Sequence, residues 1–377
     1  MSTLRRRSLL PTILLQLHIV LSVVLRPAAA KVPALFVFGD STVDTGNNNY
    51  ISTVIKSDFA PYGRDLRVGV AGAGADGQPT GRFSNGRLAV DFISEAFGLP
   101  PLVPAYLDPN ANISSLATGA CFASAGAGYD NATSDLFSVM PIWEELEYFK
   151  EYMSRLRSFH GDAKAEETLS EALYIVSMGT NDFLENYYAM PSGDAARHAA
   201  AAPEYAGYLL GVAEAFARAL HALGARKLDL NGLPPMGCLP LERRVAGGAC
   251  TEEYNAAARA FNAGLRDLVA RLDGGGGSAD GDEEGGLGDG ARVVYGDVYG
   301  AVEEVLADPA AHGFEVVGAG CCGVTGRFEM GYMCNGASPL TCADAGKYAF
   351  WDAIHPTEHL HRFIADRKMN TSLYVFL

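Results

Sequence analysis

Short apolar runs alternate with longer segments of helical periodicity along this chain, and this alternation limits the folds that it can adopt. Four runs have the length and composition of buried strands, at 35–38, 173–176, 227–230 and 292–295. Four longer stretches repeat apolar residues every three to four positions, as helices do: 88–97, 142–159, 205–223 and 252–272. Strands separated by helices predict a parallel sheet that is covered on both faces. We therefore expect an α/β fold of three layers, α/β/α, with a mainly parallel central sheet.

The size and composition of the chain favour one large domain. The chain has 377 residues, of which 49% are hydrophobic, as in an ordinary globular protein with a sizeable core. Segment 274–290 is rich in Gly, Asp and Glu, so it predicts a surface loop. Because strand patterning resumes after this loop, we do not place a domain boundary there, and the domain is expected to span 31–377.

The first 30 residues have the organisation of a secretory signal peptide. Three arginines at 5–7 precede an apolar run over 9–25, and the small residues 28–30 follow. An uncleaved membrane anchor is the alternative, but the run is short for a span of about 20 residues, and Arg26 closes it. We therefore predict a secreted, extracellular protein whose mature chain begins near Lys31 and contains no integral membrane segment.

The balance of charge argues against nucleic acid as a partner. Lysine and arginine number 29 against 44 aspartates and glutamates, which gives a formal charge of −15. Removal of residues 1–30 takes away four arginines and no acid, which leaves 25 basic residues and a charge of −19. An acidic surface repels phosphate backbones and anionic membranes.

The seven cysteines fit an exported chain with disulfide bonds. Six of them lie between Cys238 and Cys342 and could form three bridges, one of which could join Cys238 to Cys250. The connectivity of the other four cannot be deduced from the sequence. Cys121 lies apart and is expected to be a buried free thiol. Three Asn-x-Ser/Thr sequons would accept sugar in a secreted chain: Asn112, Asn131 and Asn370.

Short motifs spread along the chain carry the groups of a serine esterase site. Acyl transfer needs a nucleophile, a base, a carboxylate that orients the base, and donors to the oxyanion. Ser41 can be the nucleophile, His355 the base and Asp352 the orienting carboxylate. The oxyanion hole can be formed by the backbone N–H groups of Ser41 and Gly126 and the side-chain amide of Asn181.

The positions of two of these residues fit the predicted sheet. Ser41 and Asn181 each follow a predicted strand, and sites of open α/β sheets lie at the carboxyl ends of strands. Simpler roles stay open for every candidate. Ser41 could cap a helix, Gly126 could serve a turn and Asn181 an Asx-turn. Asp352 and His355 could be surface residues of a loop.

These motifs resemble those of the plant GDSL esterase/lipase family, part of the wider SGNH hydrolases. The resemblance rests on FGDSTVDTGNNN at 38–49, TGRFSNGR at 80–87 and FWDAIHPTE at 350–358. It extends from about Leu35 to the C-terminus and implies the flavodoxin-like fold of SGNH hydrolases. One departure concerns the position five residues before Gly126, where the family usually has Asn and this chain has Cys121. The hydrogen bonding around that position is therefore expected to differ.

The expected function is hydrolysis of carboxylic esters by a secreted serine esterase or lipase, through an acyl-enzyme. The resemblance suggests lipids, cuticle polyesters or acetylated cell-wall polysaccharides as substrates. Two alternatives stay open: a catalytically inactive extracellular binding or structural protein on the same fold, and an acyltransferase with the same triad. No cofactor is expected. No metal is expected either, since no Glu is placed among His355, His359 and His361 as in His-Glu-x-x-His. The oligomeric state is left open.

Overall fold

The computed structural model describes residues 32–67, 77–188, 202–274, 285–288, 290–322, 334 and 340–377. The predicted signal peptide at 1–30 lies outside the described residues, and so does most of the predicted surface loop at 274–290. Leu287, near the end of that loop, is buried and packs in the hydrophobic core.

Five parallel strands form the central sheet of the described chain, in the order β2-β1-β3-β4-β5. Two more strands, β6 and β7, pair with each other in a separate small sheet. The strands are β1 (Leu35–Gly39), β2 (Gly119–Cys121), β3 (Leu173–Ser177), β4 (Lys227–Asn231), β5 (Arg292–Gly296), β6 (Val316–Gly320) and β7 (Tyr348–Phe350). The prediction of a mainly parallel central sheet is confirmed, and so are all four predicted strands.

The helices follow the predicted alternation with the strands, and each of the four predicted helices is present to within three residues at either end. The α-helices of the described chain are α1 (Ala89–Ala96), α2 (Ile113–Leu116), α3 (Asn131–Phe137), α4 (Ile142–His160), α5 (Asp162–Glu171), α6 (Ala202–Ala222), α7 (Pro240–Val245), α8 (Glu252–Asp273), α9 (Val298–Ala307) and α10 (Glu358–Thr371).

Both faces of the sheet are buried because side chains alternate along each strand. Phe36 and Tyr174 belong to the core on one face, together with apolar residues of α4, α6 and α8. Leu35 and Ile175 belong to the core on the other face, together with residues of α1 and α10. The three-layer α/β/α architecture that we predicted is therefore confirmed.

The order of the strands determines where a site can form. The chain moves from β1 outward to β2 and then returns to β3 on the other side of β1. Ligands of open α/β sheets bind at such a switch point, beyond the carboxyl ends of the strands. Ser41 follows β1, Gly126 follows β2 and Asn181 follows β3, so the chain brings three candidate residues to this edge.

The cysteine pairing agrees with the sequence prediction. Three disulfides join Cys238 to Cys250, Cys321 to Cys342, and Cys322 to Cys334. Cys121 is a buried free thiol. Two of the bridges hold the chain next to β6 and β7, the small sheet that precedes Asp352 and His355.

Candidate functional site

The turn that carries Ser41, residues 39–44, is shaped by a glycine and an aspartate; we call it the Ser41 turn. Gly39 has a φ of 141°, and a Cβ there would lie 2.0 Å from the carbonyl oxygen of Ser177, so only glycine fits. Asp40 Oδ1 accepts hydrogen bonds from the N–H and the hydroxyl of Thr42, at 2.9 and 2.7 Å. These contacts fix both neighbours of Ser41 at the end of β1.

Buried polar side chains join the Ser41 turn to the loop after β2. Asp44 accepts hydrogen bonds from the N–H groups of Gly46, Asn47 and Ala125. Burial nevertheless raises the pKa of the Asp44 carboxyl to about 6. Asn48 adds a second link, because its amide donates to the carbonyl of Ala125 at 2.8 Å. Ala125, the residue before Gly126, is thereby held through its N–H by Asp44 of the Ser41 turn and through its carbonyl by Asn48.

The departure at Cys121 is accommodated by hydrogen bonds from a neighbouring asparagine. The Asn47 amide donates to the carbonyl oxygens of Cys121 and Ala123, at 2.9 and 2.8 Å. The Cys121 thiol lies 3.3 Å from the carbonyl oxygen of Val43, to which it can donate. Burial raises the pKa of this thiol to about 12, so it is neutral. Cys121 therefore packs as a small apolar side chain against the Ser41 turn.

Gly126 and Asn181 lie next to each other. The Asn181 amide donates to the carbonyl of Ala127, the residue after Gly126, at 2.9 Å. Gly126 has a φ of 89°, which favours glycine. In the described part of the chain, the N–H groups of Ser41 and Gly126 donate to no protein acceptor. Both therefore remain available to a ligand.

The residue after Asn181 fastens the loops that follow β2 and β3. Asp182 is buried and accepts hydrogen bonds from the N–H groups of Tyr129 and Asp130, at 2.8 and 3.0 Å. The Thr133 hydroxyl donates to the same carboxylate at 2.6 Å. These contacts brace the two loops against each other.

Asp352 and His355 form a close pair in the segment 351–356, which we call the His355 loop. His355 Nδ1 lies 2.7 and 2.9 Å from the two carboxylate oxygens of Asp352. The backbone N–H groups of Ile354 and His355 also donate to Asp352 Oδ1. Asp352 is 1% exposed and His355 4% exposed, so the pair is shielded from solvent. A carboxylate at Nδ1 leaves Nε2 of the imidazole as the atom that can take a proton.

Tyr62 is a part of this site that the sequence analysis missed. Its hydroxyl donates to Asp352 Oδ2 at 2.8 Å and accepts a hydrogen bond from the N–H of Cys334 at 3.1 Å. Burial and the charge of Asp352 raise the pKa of Tyr62 well above its usual range, so the phenol stays protonated. The contact links the His355 loop to a disulfide-bonded cysteine.

A buried carboxyl behind the Ser41 turn was also missed. Glu145 of α4 is fully buried, and its Oε2 accepts a hydrogen bond from the N–H of Gly39 at 2.9 Å. Burial, followed by the nearby carboxyls of Asp44 and Asp40, raises the pKa of Glu145 well above its usual range. The Glu145 side chain therefore holds the start of the Ser41 turn.

The structure brings the Ser41 turn and the His355 loop to one place. Asp40 and Thr42, which flank Ser41, line the same cavity as Ile354 and Pro356, which flank His355. Burial raises the pKa of the Asp40 carboxyl. The nearby His355 lowers the pKa of Asp40 by a smaller amount, which places the two side chains near each other. No hydrogen bond joins the side chains of Ser41 and His355, both of which are described; such contacts often tighten only when substrate binds.

The order of the motifs and this geometry agree with the comparison to known proteins. The sequence model for GDSL-like Lipase/Acylhydrolase matches residues 35–367. The chain belongs to the GDSL esterase/lipase family. It is therefore a carboxylic ester hydrolase, and its three-layer sheet architecture is that of the SGNH hydrolases. No helix in the described residues combines the length and apolar character of a membrane span.

The relatives extend over nearly the whole of this GDSL esterase/lipase. GDSL esterase/lipase At4g26790 of Arabidopsis thaliana is 51% identical over 350 residues, which cover 92% of this chain and 93% of that protein. GDSL esterase/lipase At2g04570 of the same plant is 49% identical over 352 residues, which cover 93% and 94%. GDSL esterase/lipase At2g42990 is 47% identical over 353 residues, again with 93% and 94% coverage.

Proposed function

We propose that this protein is a secreted serine esterase or lipase in which Ser41 is the nucleophile, His355 the general base and Asp352 the residue that orients the base. The observation that carries the proposal is the contact of 2.7 Å between His355 Nδ1 and Asp352, in a loop that meets the Ser41 turn at one cavity. This is the arrangement that activates a serine hydroxyl, since the base must be held in one tautomer.

The reaction proceeds in two halves. In the first half, Ser41 Oγ bonds to the acyl carbon while Nε2 of His355 takes the hydroxyl proton. The bond to the alcohol oxygen then breaks, and the alcohol leaves with that proton. In the second half, a water loses a proton to His355 and attacks the acyl-enzyme, and the carboxylic acid departs as Ser41 recovers the proton. The Asp352 carboxylate stabilises the imidazolium in both halves.

We assign the oxyanion hole to the N–H groups of Ser41 and Gly126 and the amide of Asn181. The backbone N–H groups of Ser41 and Gly126 have no protein acceptor among the described residues. The Asn181 amide uses one of its two hydrogens to hold Ala127, which leaves the other for substrate. Donors that are already fixed in place stabilise the charge on the tetrahedral intermediate without reorganisation.

Secretion is supported by the surface as well as by the N-terminal sequence. Asn112, Asn131 and Asn370 are all exposed, so each sequon could carry sugar. Three disulfides are typical of oxidising compartments. If the protein is secreted, plant-expressed material should begin near Lys31, and its mass should fall after treatment with an endoglycosidase. An intact Met1 in extracellular protein would contradict this.

Ester hydrolysis can be tested on a panel that also narrows the substrate. We would compare p-nitrophenyl esters from acetate to palmitate with acetylated xylan and a cutin-like polyester, which represent the three substrate classes that we propose. The wild type should hydrolyse at least one class, and Ser41→Ala should lose that activity. Ser158→Ala, at an exposed serine of α4, provides the matched control. Retention of more than a few per cent of activity by Ser41→Ala would rule out Ser41 as the nucleophile.

A further inference from the structure

The segment 80–87, which we call the linking segment, is buried although it forms neither helix nor strand. Its residues 81–86 are all buried. Connecting segments ordinarily run over the surface, because buried backbone groups need hydrogen-bond partners inside the protein. The linking segment has its partners in two places: the chain that follows the Ser41 turn, and the chain that contains and follows His355. It therefore contacts both sides of the site.

The first half of the linking segment packs on residues 45–49, which directly follow the Ser41 turn. The Asn49 amide donates to the carbonyl of Thr80 at 3.1 Å. Gly81 has a φ of 93°, and a Cβ there would lie 2.5 Å from Cα of Gly46. The two backbones thus meet with no room for a side chain between them.

A buried ion pair fixes the middle of the linking segment. The Arg82 guanidinium makes two contacts with the carboxylate of Asp91 in α1, at 2.8 and 2.9 Å. Its Nη1 also donates to the carbonyl of Thr45 at 3.2 Å. A guanidinium is a rigid, planar group of donors, so it holds several partners in one geometry. Arg82 therefore ties α1 and the chain after the Ser41 turn to the same point.

The second half of the linking segment binds the chain that leaves the His355 loop. The Ser84 hydroxyl donates to the carbonyl of Pro356 at 3.0 Å. Asn85 Oδ1 accepts a hydrogen bond from the N–H of Glu358, the first residue of α10, at 2.8 Å. A Cβ at Gly86 would lie 2.1 Å from Oε2 of Glu358, so a glycine leaves space for that carboxylate. These contacts hold the chain on the C-terminal side of the imidazole.

Phe83 contacts the imidazole itself. The ring centroids of Phe83 and His355 are 4.9 Å apart, within the range of favourable ring contacts. Asp352 holds the imidazole at Nδ1, so the Phe83 ring adds a second point of support. Phe83 also belongs to a buried apolar cluster that includes Ala125, of the loop after β2, and Trp351, of the His355 loop. This cluster joins the two sides of the site.

We propose that the linking segment sets the position of the His355 imidazole relative to Ser41, with Phe83 and Ser84 as positioning residues. The proposal rests on the proposed function, because it takes His355 as the base. No hydrogen bond joins the side chains of Ser41 and His355, both of which are described, so their separation depends on segments that contact both regions. Misplacement of a catalytic group by about 1 Å can lower a rate by about 10²-fold.

Removal of the Phe83 ring tests this proposal. Phe83→Leu should lower kcat by about 10–100-fold with KM nearly unchanged, because the imidazole acts in the chemical step. In the His355→Ala background, the same substitution should cause no further loss, since Phe83 acts through the imidazole. Phe149→Leu is the matched control. Phe149 is a buried phenylalanine of α4 in the core on the other face of the sheet, so its loss should lower the melting temperature and leave kcat near the wild-type value.

A hydroxyl offers a second variant that removes fewer atoms. Ser84→Ala should lower kcat by about three- to tenfold, because it removes one hydrogen bond to the residue after His355. Ser94→Ala is the matched control, since the buried Ser94 hydroxyl of α1 likewise donates to a proline carbonyl, that of Pro100. It should leave kcat as in the wild type. If circular dichroism shows that Phe83→Leu does not fold, Ser84→Ala decides.

A measurement that does not need activity separates this proposal from the proposed function. The Nδ1 proton of His355 can be observed by NMR and assigned by its loss in His355→Ala. Its resonance should broaden in Phe83→Leu and stay as in the wild type in Phe149→Leu. Unchanged kcat and an unchanged resonance in folded Phe83→Leu or Ser84→Ala would overturn the role of the linking segment and leave Ser41 catalysis intact. If the wild type hydrolyses no ester but the resonance still depends on Phe83, the proposed function alone is overturned.

Discussion

The Ser41 turn and the His355 loop meet at one cavity, but different parts of the molecule hold them. The Ser41 turn stands at the end of β1, which pairs with both β2 and β3 in the central sheet. Buried side chains such as Asp44 and Glu145 tie it to its surroundings. The His355 loop follows β7, a strand of three residues that pairs only with β6 among the described strands.

The two regions are held in place in different ways. The central sheet and its buried polar contacts preorganise the Ser41 turn, so the turn depends on the folding of the whole domain. The His355 loop is held by contacts from several separate segments. They include the Tyr62 hydroxyl on Asp352, the N–H of Leu241 on the carbonyl of Ala353 and the Ser84 hydroxyl on the carbonyl of Pro356. The N–H of the disulfide-bonded Cys334 in turn holds the Tyr62 hydroxyl. We therefore expect this loop to be weakened by changes that leave the central sheet intact.

The largest expected effect comes from removal of the His355 imidazole, and it tests whether Ser41 and His355 act as one unit. His355→Ala should lower kcat/KM by about 10⁴-fold or more, and the double variant with Ser41→Ala should be no worse than either single one. Steady-state kinetics on the preferred p-nitrophenyl ester measures both. His359→Ala, a nearby histidine of α10 that contacts the carbonyl of Gly346, is the control. Additive losses in the double variant would show that the two residues act independently.

Removal of one oxyanion donor should have the next largest effect. Asn181→Ala should lower kcat by about 10²–10³-fold with little change in KM, because this donor acts mainly in the transition state. The matched control is Asn110→Ala, at an exposed asparagine of a surface loop. A loss smaller than tenfold would mean that the amide serves only to hold Ala127.

Two disulfides of equal loop length can separate stability from function. Cys322–Cys334 and Cys238–Cys250 each span a sequence separation of 12, so removal of either should lower stability by a similar amount, about 2–5 kcal/mol. The Cys322→Ser, Cys334→Ser variant should lose more kcat below its melting temperature, since this bridge holds Cys334 against the Tyr62 hydroxyl, which contacts Asp352. The Cys238–Cys250 loop meets the His355 loop through the N–H of Leu241 on the carbonyl of Ala353, away from the carboxylate. Calorimetry and kinetics on both variants measure the difference. An equal loss of kcat in the two disulfide variants would contradict the claim that the Cys322–Cys334 bridge supports catalysis through Tyr62 and the His355 loop.

The smallest effect concerns the Tyr62 hydroxyl alone. Tyr62→Phe keeps the ring and removes two hydrogen bonds, one to Asp352 and one from the N–H of Cys334. A hydrogen bond to a carboxylate is worth about 1.5–3 kcal/mol, so kcat should fall by about a hundredfold or less. The pH profile of kcat/KM should move as well, because Asp352 loses a donor. Tyr374→Phe, at an exposed tyrosine near the C-terminus, is the control. An unchanged pH profile would limit Tyr62 to a packing role.

Much of the fold could be predicted because its signals are local. The runs that became β1 and β3 are continuous and apolar, as strands buried on both faces are, and the run that became β5 is apolar after Arg292. The run that became β4 instead alternates Lys and Asp with two leucines. β2 was missed because Gly119, Ala120 and Cys121 include no β-branched or aromatic residue, and its strand identity depends on pairing with β1. The core position of Leu287 was missed for a similar reason, since one apolar residue in a Gly-rich acidic segment gives no pattern.

The site was predictable only where short motifs mark it. Ser41, Gly126, Asn181, Asp352 and His355 lie in such motifs, and their catalytic roles remain predictions. Tyr62 lies 290 positions from Asp352, so no spacing could indicate their contact. Glu145 occupies an amphipathic helix, where a glutamate ordinarily faces solvent. Only the folded chain brings these two beside the site.

The central claim is that His355 activates Ser41, and labelling by a fluorophosphonate tests it most directly. The serine oxygen displaces fluoride from phosphorus, so the probe marks an activated serine. We predict one labelled site, assigned by mass spectrometry to Ser41, with labelling lost in Ser41→Ala and strongly slowed in folded His355→Ala. Labelling of another residue, or equal labelling of the wild type and His355→Ala, would contradict the account.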